Sequence, residues 1–169
     1  LSCKEDADKV LEETKKAEFI VTEVKKGTRS RKAPAPFTTS TLQQEASKYL
    51  NLTAQKTMMI AQQLYEGVDI KGEGTTGLVS YIRTDSVRIS DEAYNDIKEF
   101  VEGEFGEKYL NPERIVYKSR NNAQDAHEAI RPTHVAMTPD SIKDSLTKDQ
   151  YKLYKLIWER TVACQMSPA

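Results

Sequence analysis

The chain has 169 residues, 38% hydrophobic and 30% charged, with a formal net charge of −1. This composition fits a folded domain that buries a core, and excludes both a disordered tail and a strongly basic DNA-coating protein. No apolar run approaches the roughly 20 residues that span a membrane, and residues 1–9 lack the apolar stretch of a secretory signal, so a cytoplasmic protein is expected.

Residues 4–16 place Ala7, Val10, Leu11 and Thr14 at helical spacing. From Glu18 to Lys25 the pattern changes to alternation, which predicts a strand turned at Lys26-Gly27-Thr28. Lys25, Lys26, Arg29, Arg31 and Lys32 place five cations in eight residues, which could touch phosphates, but the favoured reading is the charged, solvated edge of a hairpin. Ala33-Pro34-Ala35-Pro36 must stay extended, because each proline disfavours helix at the residue before it. This marks a boundary: 1–36 as part of a neighbouring domain, and 37–169 as the main one. Ser40 with Gln43 has capping-box spacing and predicts a helix to about Leu50. Thr53 opens another that stops at Gly67, with Met58, Met59 and Tyr65 read as core packing. Residues 67–77 read as a flexible glycine-bearing loop. Ser90 opens a helix that turns Ala93, Ile97, Phe100 and Val101 inward and ends near Gly106. A short strand is expected over 113–118, a brief helix over 124–130, and another short helix from Thr138-Pro139. Thr147 with Gln150 opens the last helix, to about Cys164. The fold class expected is α+β, mostly α-helical. Cys3 and Cys164 lie far apart with no close-spaced partner, so reduced thiols are expected and no zinc site.

The stretch Gly77-Leu78-Val79-Ser80-Tyr81-Ile82-Arg83-Thr84-Asp85-Ser86 is the first candidate for chemistry. If it is extended, Tyr81, Arg83 and Asp85 share one face. A tyrosine beside a guanidinium suits phosphoryl transfer: the phenolate attacks phosphorus while the cation neutralises the non-bridging oxygens. A phenol is overwhelmingly protonated at neutral pH, so such a nucleophile calls for a base or metal nearby. Taken alone, the same pattern also describes an ordinary strand tyrosine with a long polar neighbour.

Three segments together are more specific. Leu64-Tyr65-Glu66 followed by Val79-Ser80-Tyr81-Ile82-Arg83-Thr84-Asp85 resembles the active-site signature of the type IA DNA topoisomerases. Pro34-Ala35-Pro36-Phe37-Thr38-Thr39-Ser40-Thr41-Leu42-Gln43-Gln44 is similar to the segment leading into that family's tyrosine-bearing domain. Gln124-Asp125-Ala126-His127-Glu128-Ala129-Ile130-Arg131-Pro132-Thr133 resembles its histidine motif. The likeness continues through Leu156-Ile157-Trp158-Glu159-Arg160 and Ala163-Cys164-Gln165-Met166 and so covers nearly the whole chain. It implies that Tyr81 is the nucleophile of a 5′-phosphotyrosyl link and that Arg83 contacts the scissile phosphate. Asp85 is implied as a helper in positioning or religation, His127 in placing DNA, and Arg131 as a basic partner nearby. It further implies single-stranded DNA as the bound form, relaxation of negative supercoils as the activity, and a nucleoid-associated setting.

The family's magnesium site, an acidic cluster on an N-terminal domain, has no counterpart here. Asp6 and Asp8 have the bare spacing but diverge on a polar helix. The resemblance therefore implies a fragment, inactive alone, that works with the magnesium-binding domain and the rest of the toroid, residues 1–36 being part of that toroid. The alternatives are a single-stranded DNA-binding helical module with a structural Tyr81, and a purely structural piece. Neither needs tyrosine and histidine motifs together.

Overall fold

In the computed structural model, residues 3–117 and 127–169 are described. Its helices begin and end where short-range capping chemistry sets them. After α1 (Lys4–Lys15), the chain runs without regular structure to Phe37. Helix α2 (Thr39–Leu50) is capped by Thr38, two residues earlier than the Ser40 signal indicates. The box is Thr38 with Thr41: each side chain bonds the other's backbone N–H. Asn51 closes α2 in the left-handed conformation, which a short polar side chain tolerates. Helix α3 (Ala54–Glu66) is capped by Thr53 and stopped by Gly67. Ser90 caps α4 (Asp91–Glu104), with Asp91 and Glu92 in its first turn facing the positive end of the helix dipole. Thr147 and Gln150 form the expected box before α5 (Lys148–Ala163), which ends at Cys164.

Residues 67–77 are not a loose loop. Val68–Ile70 (β1) and Gly74–Thr76 (β2) pair antiparallel, Val68 opposite Thr76 and Ile70 opposite Gly74, so the glycines serve a hairpin. Gly67, Gly72 and Gly74 all have positive φ, the backbone form that only glycine adopts without strain. The class is α+β and mostly helical, with this hairpin as its only regular sheet among the described residues.

Two hydrophobic clusters hold the fold. The larger joins Phe37, Leu42, Ala46, Ile60, Leu64, Leu78, Val79, Ile82, Ile130, Leu153, Tyr154 and Ile157, drawing on α2, α3, α5 and the segments around the tyrosine. The smaller joins Ile89, Ala93, Ile97, Val101, Val135, Val162 and Cys164, with Phe100 partly buried against it. Trp158 of α5 touches both, its ring edge-to-face with Phe100 and its indole N–H bonded to the Val135 carbonyl. Arg160 anchors the proline stretch: it pairs with Glu45, donates to the Ala35 carbonyl at 3.1 Å and stacks 4.2 Å from the Phe37 ring centre.

Several expected elements are absent, each for a local reason. Residues 18–25 form no strand; Phe19, Ile20, Val21 and Val24 are 71–79% exposed, and alternation makes no strand without a ladder partner. With no hairpin there, the basic run is not a hairpin edge, and Arg31 instead exchanges two backbone hydrogen bonds with Ala169. Residues 113–117 are irregular, and Leu110 pairs with Met166 in their place. Residues 124–126 lie outside the described residues, but 127–130 are not helical: Ala129 and Ile130 give their N–H groups to Arg88 and Phe37 carbonyls. Thr138-Pro139 begins turns rather than a helix, followed by a 3₁₀ turn at Lys143–Ser145. Cys3 and Cys164 are both free thiols; burial pushes the Cys164 thiol up to about 12.

Candidate active site

The tyrosine segment is extended but largely unladdered: within 77–86 only Val79 makes a β-bridge, to Pro132. Alternation nonetheless governs it. Tyr81, Arg83 and Asp85 are exposed while Ile82, Thr84 and Ser86 are buried, which is the period-2 pattern of a half-buried extended chain. Tyr81 keeps 49% of its surface in solvent, although its neighbours Val79 and Ile82 are about as buried as any residue in the core. A rigid foundation therefore presents an accessible phenol.

Hydrogen bonds from two distant parts of the chain fix that foundation. On one side, the Ser80 hydroxyl donates to the Ala129 carbonyl (2.8 Å) and accepts from the Arg131 N–H (3.0 Å). The Ser80 N–H returns to the Arg131 carbonyl at 2.9 Å. Thr133 continues the stitching, its N–H to the Leu78 carbonyl and its hydroxyl to that of Gly77. On the other side, the Thr39 hydroxyl bonds the Ile82 carbonyl at 2.7 Å and the Thr84 N–H at 2.9 Å. Phe37 accepts from the Ile130 N–H. The three segments singled out in the sequence thus meet around Tyr81, through bonds between residues more than 40 positions apart.

His127 is exposed on the same stitched segment, two residues before Ala129. Arg83 is exposed and bonds no acid or carbonyl among the described residues. Arg131 differs: its Nε and Nη2 both reach Glu128 Oε2 at 2.8 Å, and Nη1 donates to the Pro132 carbonyl. Burial works to raise the Glu128 carboxyl, but hydrogen bonding from Ser90 and the charge and hydrogen bonds of Arg131 together hold it below the usual carboxylate range. Glu128 thereby ties the histidine segment to the N-terminus of α4.

Sequence reasoning did not single out Ser80, Thr39 or Glu128, although all three lie inside the quoted segments. Tyr65 was assigned to core packing. It is 39% exposed, and its ring meets that of Tyr81 edge-to-face, centroids 5.5 Å apart. Met59 is also exposed, and only Met58 of that group packs on the core.

Magnesium prefers several oxygen ligands in octahedral array. Among the described residues no three His, Cys, Asp or Glu side chains gather to hold a metal ion, and Glu128 is already engaged by Arg131. These residues do not fit a magnesium site. Among them, too, no helix is long and apolar enough to cross a membrane.

The geometry can be set beside known proteins. The family model described as DNA topoisomerase matches residues 1–169. The full-length topoisomerase I of Thermotoga maritima superposes with a TM-score of 0.78 at 44% identity, over 95% of this chain. The chain spans 25% of that protein's length. A match over the entire chain, together with close structural agreement, shows that it belongs to the bacterial type IA DNA topoisomerase family.

Proposed function

We propose that the chain is the nucleophile-bearing part of a type IA topoisomerase that cleaves and rejoins one DNA strand through Tyr81, relaxing negative supercoils. One observation carries this reading: an exposed phenol on a half-buried extended segment that is pinned on both sides. Such preorganisation suits a nucleophile, because the reacting oxygen is held where a phosphate can approach in line.

In this reading the deprotonated Tyr81 oxygen bonds to phosphorus as the bond to the 3′-oxygen breaks. The fragment on the 3′ side of the break stays on the tyrosine through its 5′-phosphate, and the leaving oxygen of the other fragment takes a proton to become a 3′-hydroxyl. Religation reverses each step. Arg83 neutralises the phosphate's oxygens, and being protonated at any ordinary pH it cannot accept the tyrosine proton. Asp85 orients groups beside the phosphate, and His127 helps place the strand. Arg131 reaches DNA only by leaving Glu128, so its first part is to brace the segment that carries His127. The magnesium that the family likeness implies belongs to residues outside the described part of this chain, within an N-terminal domain. Residues 1–36 belong to the neighbouring toroid, and 37–169 to the tyrosine-bearing domain. Single-stranded DNA is the favoured partner, because attack on one strand needs backbone access that a duplex restricts. The setting is the cytoplasm, at the nucleoid.

The test is covalent capture of 5′-labelled and 3′-labelled single strands by the full-length enzyme containing this segment, with magnesium. The expected adduct carries the 3′ label, on the fragment whose 5′-phosphate is bonded to the tyrosine; it disappears in Tyr81→Phe and falls strongly in Arg83→Ala. An adduct persisting in Tyr81→Phe would refute the assignment. Retention of strand binding with no adduct in the unaltered enzyme would favour the non-catalytic DNA-binding module.

A further inference from the structure

Two exposed tyrosines rarely touch without consequence for how each is oriented. Tyr65 ends α3, one residue before its final Glu66, and its backbone is locked to the start of the tyrosine segment. The Leu78 N–H donates to the Leu64 carbonyl at 2.7 Å. Gly77 passes so close that a Cβ there would lie 2.9 Å from the Tyr65 carbonyl oxygen. The relation between the two rings is therefore set by rigid backbone at both ends. The rings meet at 69° with centroids 5.5 Å apart, the edge-to-face arrangement that aromatic quadrupoles favour. Neither hydroxyl has a hydrogen-bond partner among the described residues, so this ring contact is the specific restraint on the Tyr81 side chain beyond its own backbone.

We infer that Tyr65 is a positioning residue for the Tyr81 nucleophile: its ring holds the Tyr81 ring in one rotamer, with the hydroxyl left free for the phosphate. An exposed tyrosine otherwise divides its time among staggered χ1 wells. Removing the restraint lowers the fraction of molecules poised for attack without changing what binds the strand. The contribution comes from the ring, not from the Tyr65 hydroxyl, so phenylalanine should serve as well. This inference rests on Tyr81 being the nucleophile.

The test uses the full-length enzyme and measures single-turnover adduct formation at saturating single-stranded DNA, alongside strand affinity. Tyr65→Leu keeps apolar bulk at a partly exposed position but removes the aromatic edge. It should slow cleavage by about 2- to 12-fold, the range expected from losing one aromatic pair, with unchanged affinity. Tyr65→Phe should restore the unaltered rate. Equal losses in both variants would show that the hydroxyl matters instead, and would overturn the inference. So would lost affinity with an unchanged saturated rate, the signature of a ring that stacks on a base. An unchanged rate and affinity in Tyr65→Leu would overturn it as well, while leaving Tyr81 as nucleophile intact. Absence of adduct in the unaltered enzyme, or an adduct persisting in Tyr81→Phe, would bring down both.

Discussion

Replacing Ser80 by alanine tests whether the stitched foundation, and not the nucleophile alone, makes the site. The substitution deletes one hydroxyl and with it two hydrogen bonds, to the Ala129 carbonyl at 2.8 Å and from the Arg131 N–H at 3.0 Å. The Ser80 backbone bond to Arg131 remains. At about 1 kcal/mol net for each bond the loss is about 2 kcal/mol, rising toward about 4 kcal/mol where the orphaned backbone groups stay shielded from water. With a urea slope of about 2 kcal/mol per molar, the unfolding midpoint of the chain should fall by about 1–2 M. In the full-length enzyme the same change should lower adduct formation while sparing strand affinity, since Ser80 lies beneath the surface that Tyr81 presents. An unchanged midpoint would mean that the two segments are held by apolar packing alone, and the argument for a hydrogen-bonded foundation would fail.

Two further outcomes follow from neighbouring features. Gly77→Ala sets a Cβ 2.9 Å from the Tyr65 carbonyl; backbone must shift at a cost of about 1–3 kcal/mol, and both thermal stability and adduct yield should drop. The Glu128 carboxyl is held below its ordinary value of 4.5. Its contribution is therefore full above that pH and is lost as pH falls through the depressed folded value. Urea midpoints measured from pH 6 downward should fall more steeply for the unaltered chain than for Glu128→Gln, and parallel curves would contradict this.

What the sequence made legible follows from the range of the interactions involved. Helices are readable because their limits are local: Thr53, Ser90 and Thr147 each act on the backbone N–H three residues away. The strand expected over 18–25 failed because alternation says only that one face is apolar, and strand formation depends on a partner elsewhere. The hairpin at 68–76 was missed for the opposite reason. Its strands are three residues each, too short to show a period, while its glycines look the same in a hairpin as in a loose loop.

The site divides along the same line. Period-2 alternation puts Tyr81, Arg83 and Asp85 on one face, and the structure shows that face exposed, even though almost none of that segment is laddered. Alternation could not show that Ser80 binds residues 129 and 131 or that Thr39 binds residues 82 and 84, because each contact joins residues more than 40 positions apart outside any regular ladder. Nor could it distinguish a cation facing solvent from one already paired. Arg83 and Arg131 are alike in sequence, yet one stands free among the described residues and the other is bound by Glu128. That difference redistributes the work at the site. The exposed guanidinium lies two residues from Tyr81, the proposed nucleophile, on a side open to an approaching phosphate. The paired one sits across the Ser80 bonds, where stiffness matters more than charge.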